Sequence, residues 1–175
     1  SAADVERDLE LLAAHNMNVL RVFPLWPDFQ PLTRFYGGCG SRQEFGQNGG
    51  PLQNPACMDM EMMERFRFLC DAAEKNGQKL IVGLLTGWMS GRLFVPPALE
   101  TKNVLTDPEA IQWEVRFVRS FVKALKDHPA IAAWDLGNEC NCMAETSGPA
   151  EMWLWMNSIA SAIRLEDPVR PVVSG

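Results

Sequence analysis

The tripeptide Gly137-Asn138-Glu139 closes an apolar run, 130–137 (AIAAWDLG), that reads as a β-strand buried on both faces. A carboxylic acid at the mouth of such a strand sits where desolvation favours the protonated form, which suits it to donate a proton. The amide before it can bind a substrate hydroxyl and orient it. On spacing alone, the same residues describe equally well a solvated Glu139 opening a loop, with Asn138 capping its own backbone. Arg21 is a second polar residue inside an apolar run, 17–23 (MNVLRVF). It reads either as a support for a carboxylate cluster through charge-assisted hydrogen bonds or as half of a structural ion pair. Trp26 and Trp88 stand just past strand ends. Cys140-x-Cys142 lacks the two-residue spacer of a zinc knuckle, so no metal site is expected.

These residues need elements to hold them. Helices are expected over 4–15, with Asp4 as N-cap, and over 59–75, where Met63, Phe66, Cys70 and Ala73 recur three and four apart. Asn76-Gly77 ends the second of these, glycine supplying a left-handed residue. Asp107-Pro108-Glu109 opens a third helix with the buried stripe Ile111, Val115, Val118, Val122 and Leu125, and His128-Pro129 stops it. A fourth spans 149–166, with Met152, Met156, Ile159 and Ile163 aligned. Strands are expected at 17–23, Lys79–Leu85 (KLIVGLL), 130–137 and from 170 onward (RPVVSG). The alternation implies right-handed βαβ crossovers and a parallel α/β sheet. Residues 24–57 and 86–105 carry no sustained period and read as long loops after the first two strands. The turns before strands are short, so a site is expected at the strands' C-terminal ends.

The chain of 175 residues is 47% apolar and 22% charged, and it is long enough for a core. Its net charge of −6 argues against nucleic acid or an anionic membrane as partner. No apolar run is long enough to span a bilayer. Five cysteines do not form a disulfide framework in a chain this size, although Cys39 and Cys57 flank a Gly-rich loop and could pair. Phe23-Pro24-Leu25-Trp26-Pro27 stands where a phosphate-binding turn would be Gly-rich, which argues against a nucleotide site there. Trp113, Trp153 and Trp155 fall on helices and read as packing residues. Glu44 and Glu145 read as solvated loop acids.

His128-Pro129-Ala130-Ile131 followed by Trp134-Asp135-Leu136-Gly137-Asn138-Glu139 resembles strand four of the clan A glycoside hydrolases, (β/α)₈ barrels that include cellulases, β-mannanases and β-galactosidases. Residues 18–23 are similar to their second strand, Lys79–Leu85 to their third and 170–173 to the start of their fifth. The resemblance implies a TIM-barrel fold of which about half is present, with residues 1–175 as part of the catalytic domain. It also implies retaining, endo-acting hydrolysis of a β-linked polysaccharide such as mannan or glucan. By that resemblance Glu139 is the general acid/base, Asn138 contacts the hydroxyl beside the reacting carbon, and Arg21 supports the carboxylates. Trp26 and Trp88 are expected to stack on pyranose rings, with Phe35-Tyr36 and Gly37-Gly38 lining the same cleft. Asp135, on the same side of the strand as Glu139, is expected to point into the barrel.

The family's nucleophile lies at the end of strand seven, outside this sequence. The expected partners are therefore a polysaccharide or oligosaccharide and either the remainder of the barrel or a second copy. No cofactor is expected, and family habit favours secretion. The alternative is a non-catalytic carbohydrate-binding half-barrel.

Overall fold

The computed structural model describes residues 1–36 and 43–175. Helix α1 (Ala2–Ala14) leads into strand β1 (Val19–Val22), and α2 (Met60–Lys75) into β2 (Lys79–Leu85). In the same way α3 (Pro108–Leu125) leads into β3 (Ile131–Gly137), and α4 (Pro149–Glu166) into β4 (Val172–Val173). The four strands pair in parallel in chain order, β1-β2-β3-β4. Doubly wound sheets reverse their strand order at a switch point, whereas barrels do not. The sheet therefore has barrel-type winding.

The helices begin where local chemistry allows it. Asp59 and Asp107 accept backbone N–H groups as the N-caps of α2 and α3. Asp4 is not the cap of α1: Ser1 holds that place, and Asp4 completes a capping box from the third helical position. Gly77, at φ 69°, ends α2 in the left-handed conformation.

Two faces of the sheet follow from the period of two. Leu80, Val82, Leu84, Trp134 and Leu136 face the helices and are buried against Met63, Phe66, Cys70, Val118, Val122, Leu125, Ile159 and Ile163. The opposite face carries Val19, Arg21, Gly83, Asp135 and Val173. Val19 and Val173, on the two edge strands, stay 57% and 44% exposed, so this inner face lies open at both ends. Trp153 corrects an expectation here. Trp113 and Trp155 are buried, but Trp153 is 64% exposed, on an open groove lined by Leu136, Met156, Val172 and Val173 beside edge strand β4.

Arg170 fixes β4 to the base of β3. Its guanidinium donates to the carbonyls of Ile131 at 2.8 Å and His128 at 3.1 Å, to that of Lys126, and to Asp167 at 2.9 Å. Asp167 also accepts the indole N–H of Trp134 at 2.9 Å. Burial alone would raise the Asp167 carboxyl, but the hydrogen bonds from Trp134, Arg170 and the backbone outweigh it and hold it at about 2.

The described residues of 24–57 are not an unstructured loop. They contain a short helix (Trp26–Phe29) and an antiparallel arm of Leu32–Tyr36, Gln43–Gln47 and Gly50–Pro51. Phe29 sits among Phe66 and Phe121, with ring centroids 5.9 and 5.6 Å away, which joins the arm to α2 and α3. Gln30, fully buried, donates to the carbonyls of Ala56 at 2.8 Å and Trp113 at 3.1 Å. The second expected loop likewise holds a small hairpin, Trp88–Met89 against Arg92–Leu93. Among the described residues, no helix is long and apolar enough to cross a membrane.

Candidate functional site

Strand β3 ends at Gly137, whose neighbour across β2 is Leu85. A Cβ at Gly137 would collide with the Leu85 carbonyl and lie 3.0 Å from the Cys140 sulfur, so only glycine lets the chain turn here. The turn then places Glu139 in the left-handed region, at φ 46° and ψ 47°. That conformation is costly for a residue with a Cβ, and strain of this kind concentrates at functional sites. The side chain of Glu139 is exposed. The low-dielectric surroundings expected for it are therefore not supplied by these residues.

Arg21, Asp135 and Asn138 come together beside Glu139. Arg21 reaches from β1 across β2 to β3, where Asp135 Oδ2 accepts from Nε at 2.7 Å and pairs with Nη2 at 2.6 Å. Nη1 donates to Asn138 Oδ1 at 3.3 Å and Nη2 to the Gly137 carbonyl at 3.1 Å. The guanidinium also lies over the Phe23 ring, 4.6 Å from its centroid. Asp135 is 1% exposed, points to the inner face as expected, and accepts the Gly137 N–H on its other oxygen at 3.1 Å. Arg21 thus forms the ion pair and also holds the Asn138 amide.

Gly83 makes this reach possible. It lies opposite Asp135 in the register, and a Cβ there would sit 2.6 Å from the Phe23 ring and 3.6 Å from Asp135 Oδ2. Gly83→Val is expected to displace Phe23 and lower stability by about 1–3 kcal/mol. Urea unfolding of the variant measures this, and an unchanged midpoint would refute the packing described.

The two rim tryptophans part ways. Trp88 is half-buried, and its carbonyl accepts from Asn138 Nδ2 at 2.9 Å, so it borders the site. Trp26 does not. It is fully buried, and its indole N–H is satisfied by Gln30 Oε1 at 2.8 Å. A ring with no exposed face cannot stack on a sugar, so Trp26 is a core residue and not a binding one. Phe35 packs over Gly46 within the antiparallel arm; Gly37-Gly38 and Cys39 lie outside the described residues. Glu44 is half-buried in an arm strand rather than solvated, whereas Glu145 is exposed.

The loop carrying Glu139 is tied down behind the site. Met143 packs on Gly87, and Asn103 Nδ2 donates to the Glu145 carbonyl at 2.6 Å. Cys57, Cys70 and Cys140 are buried free thiols, each pushed up to about 12 by burial; Cys142 is an exposed free thiol. Glu114, which the sequence reading does not single out, is fully buried on α3 and takes one hydrogen bond, from the Trp155 indole at 2.8 Å. Its other oxygen has no partner among the described residues. Burial raises this carboxyl to about 8, against a smaller lowering by the Trp155 bond. An acid inside the apolar stripe of Ala110, Phe117 and Phe121 was the available signal.

Asp71, Glu74 and His128 bring three possible ligand atoms within 4.8 Å of one another. The Ala130 N–H donates to His128 Nδ1 at 3.1 Å, which places the ring proton on Nε2, and Nε2 lies 2.9 Å from Asp71 Oδ1. The nitrogen facing the carboxylates is thus a donor, and the trio ties the start of β3 to α2.

No family model matches the chain. It is 25% identical to a probable mannan endo-1,4-beta-mannosidase C of Aspergillus terreus, over 98% of this chain and 47% of that protein. It is 27% identical to mannan endo-1,4-beta-mannosidase A of Podospora anserina, over 94% of this chain and 43% of that protein. Among solved structures, the exo-beta-1,4-mannosidase Op5Man5 from Opitutaceae bacterium strain TAV5 is 30% identical with a TM-score of 0.79, covering 99% of this chain and 28% of that one. GH5_18 from Streptomyces cattleya, solved in complex with GlcNAc, is 25% identical with a TM-score of 0.80, covering 100% and 39%. The chain thus spans less than half the length of these relatives. The strand order and the overlays define an α/β chain of (β/α)₈-barrel type, carrying about half of the barrel. In sequence and fold the chain is similar to part of a clan A barrel of the glycoside hydrolase family 5 type.

Proposed function

We propose that the chain supplies the acid/base half of a retaining glycoside hydrolase that cuts a β-linked polysaccharide such as mannan or glucan internally. One observation carries this reading most directly. Among the described residues, Glu139 is the only acid within two residues past the C-terminal end of a strand of the parallel sheet, and it stands next to an amide oriented by Arg21. The mannanase and GH5 relatives support the same chemistry.

In this reading Glu139 donates its proton to the glycosidic oxygen as the bond to the anomeric carbon breaks. A second carboxylate, from the part of the barrel outside this chain and about 5 Å from the first, takes the sugar as a covalent ester. Glu139, now ionised, removes a proton from water as the water displaces that carboxylate and restores the acid. Asn138 donates to the neighbouring sugar hydroxyl, and Trp88 offers an amphipathic wall. The open edges of β1 and β4, with the groove at Trp153, are surfaces for the remaining strands and helices to cover. A polymer substrate fits a secreted enzyme.

The test is a panel of mannan, glucomannan and β-glucans incubated with the complete barrel. Oligosaccharide release from mannan or glucan is the expected result. Release of monosaccharide alone would replace internal cutting by terminal cutting, the action named for Op5Man5. One rival, a non-catalytic sugar-binding half-barrel, would use the same Asn138 amide and Trp88 wall. Sugar binding by the complete barrel without any product would establish that rival instead.

A further inference from the structure

Asn138 is held from both ends of its amide. Oδ1 takes an N–H from Arg21, which can only donate, and Nδ2 gives an N–H to the Trp88 carbonyl, which can only accept. The two partners allow one orientation of the amide and leave one Nδ2 hydrogen free of them. Arg21 is anchored by Asp135 and stacked on Phe23, so its end is rigid. The other end depends on a hairpin of two residue pairs, Trp88 with Leu93 and Met89 with Arg92.

That hairpin is closed by Ser90 and Gly91, both left-handed, at φ 52° and 76°. Two consecutive positive φ values are the signature of a type I′ turn, whose twist matches that of the strands it joins. The Phe94 N–H donates to the Gly87 carbonyl at 2.5 Å and closes its base, and Arg92 lies over the Phe94 ring at 5.2 Å. Nothing lies within 4 Å of where a Cβ on Gly91 would stand. A substitution there therefore acts through backbone conformation alone.

We propose that the Trp88–Leu93 hairpin is a positioning element: its Trp88 carbonyl fixes the Asn138 amide so that the free Nδ2 hydrogen faces a sugar hydroxyl. The hairpin acts through Asn138 and takes no part in bond making. The sugar half of this statement rests on the function proposed above; the orientation half does not.

The experiment is nuclear magnetic resonance on the ¹⁵N-labelled complete barrel, following the Asn138 side-chain amide pair, with β-1,4-mannobiose added afterwards. Gly91→Val forces a β-branched residue into φ 76° and is expected to collapse the separation of the two Asn138 amide protons. It is also expected to weaken mannobiose binding roughly 2- to 10-fold, the range for one hydrogen bond. Gly91→Asn, which tolerates that conformation, should keep both properties. Ser90→Asn should stiffen the turn and slow exchange of the bonded Nδ2 proton. Because Ser90→Asn does not strain the fold, it remains informative if Gly91→Val unfolds. An Asn138 pair unchanged in Gly91→Val, or exchange unchanged in Ser90→Asn, overturns the proposal. Expected amide responses with no mannobiose binding even by the unsubstituted complete barrel would keep the positioning role and remove the sugar reading.

Discussion

Glu139→Ala is expected to lower hydrolysis of an unactivated β-linked oligosaccharide by about 10²- to 10⁴-fold in the complete barrel, the usual worth of a general acid. The loss depends on the leaving group, which separates this role from a structural one. An alkoxide leaving from a sugar needs a proton as the bond breaks, whereas an acidic phenol does not. Bond cleavage of an activated aryl glycoside should therefore fall far less, and release of the covalent ester, which needs the same residue as base, should become the slow step. A burst of phenol followed by a slow steady state is the expected trace. Equal losses on both substrates, with no burst, would assign Glu139 to binding or folding instead. Its position favours the catalytic role: a left-handed glutamate is a poor choice for stability alone.

Glu114→Gln raises stability at neutral and alkaline pH but changes it little at pH 4. The carboxyl has its pKa raised by burial to about 8 in the fold, against an ordinary 4.5, so the folded state holds the proton more tightly than the unfolded one. Stability contributed by the neutral acid is therefore complete below about 4.5, declines as pH rises, and levels off above about 8. At about 1.4 kcal/mol per pKa unit the full loss is of the order of a few kcal/mol. The amide of Gln cannot ionise and can still accept the Trp155 indole N–H, so the decline should flatten. The buried Cys140 thiol, which the Glu114 charge helps to raise, loses that contribution in the variant and stays protonated by burial. Thermal unfolding from pH 4 to 9 measures the effect. Parallel curves for the two proteins would show that Glu114 does not titrate as described.

Much of the frame was legible in the chain because burial leaves a periodic trace. KLIVGLL is apolar at every position except its first, and the structure forms β2 over those same residues, Lys79–Leu85. The stripe of Ile159 and Ile163, with Pro149 opening the helix, gave α4 its observed limits of Pro149 and Glu166. The antiparallel arm left no such trace, because Gln, Gly and Pro fill it and its stability comes from Phe29 and Gln30 reaching distant helices. Trp26 looked like a rim residue for a related reason. Sequence places it after a strand, but only the fold shows Gln30 turned back to satisfy its indole. Asp135 was legible as an inward residue, yet its pairing with Arg21 depends on Gly83 leaving a gap between them, a relation between three strands. Trp153 misled because helical periodicity cannot distinguish a face covered by this chain from one left open beside β4.

The most direct test of the central claim uses Glu139→Ala in the complete barrel with an aryl β-glycoside of an acidic phenol and added azide. Azide needs no base to attack the anomeric carbon of the covalent ester, and it fits the space the carboxylate has vacated. The account predicts that turnover rises with azide and that the product is the β-configured glycosyl azide. It also predicts that the unsubstituted protein, which still deprotonates water, makes little of it. No azide adduct, or an adduct of inverted configuration, would contradict the assignment of Glu139 as the acid/base of a retaining glycosidase.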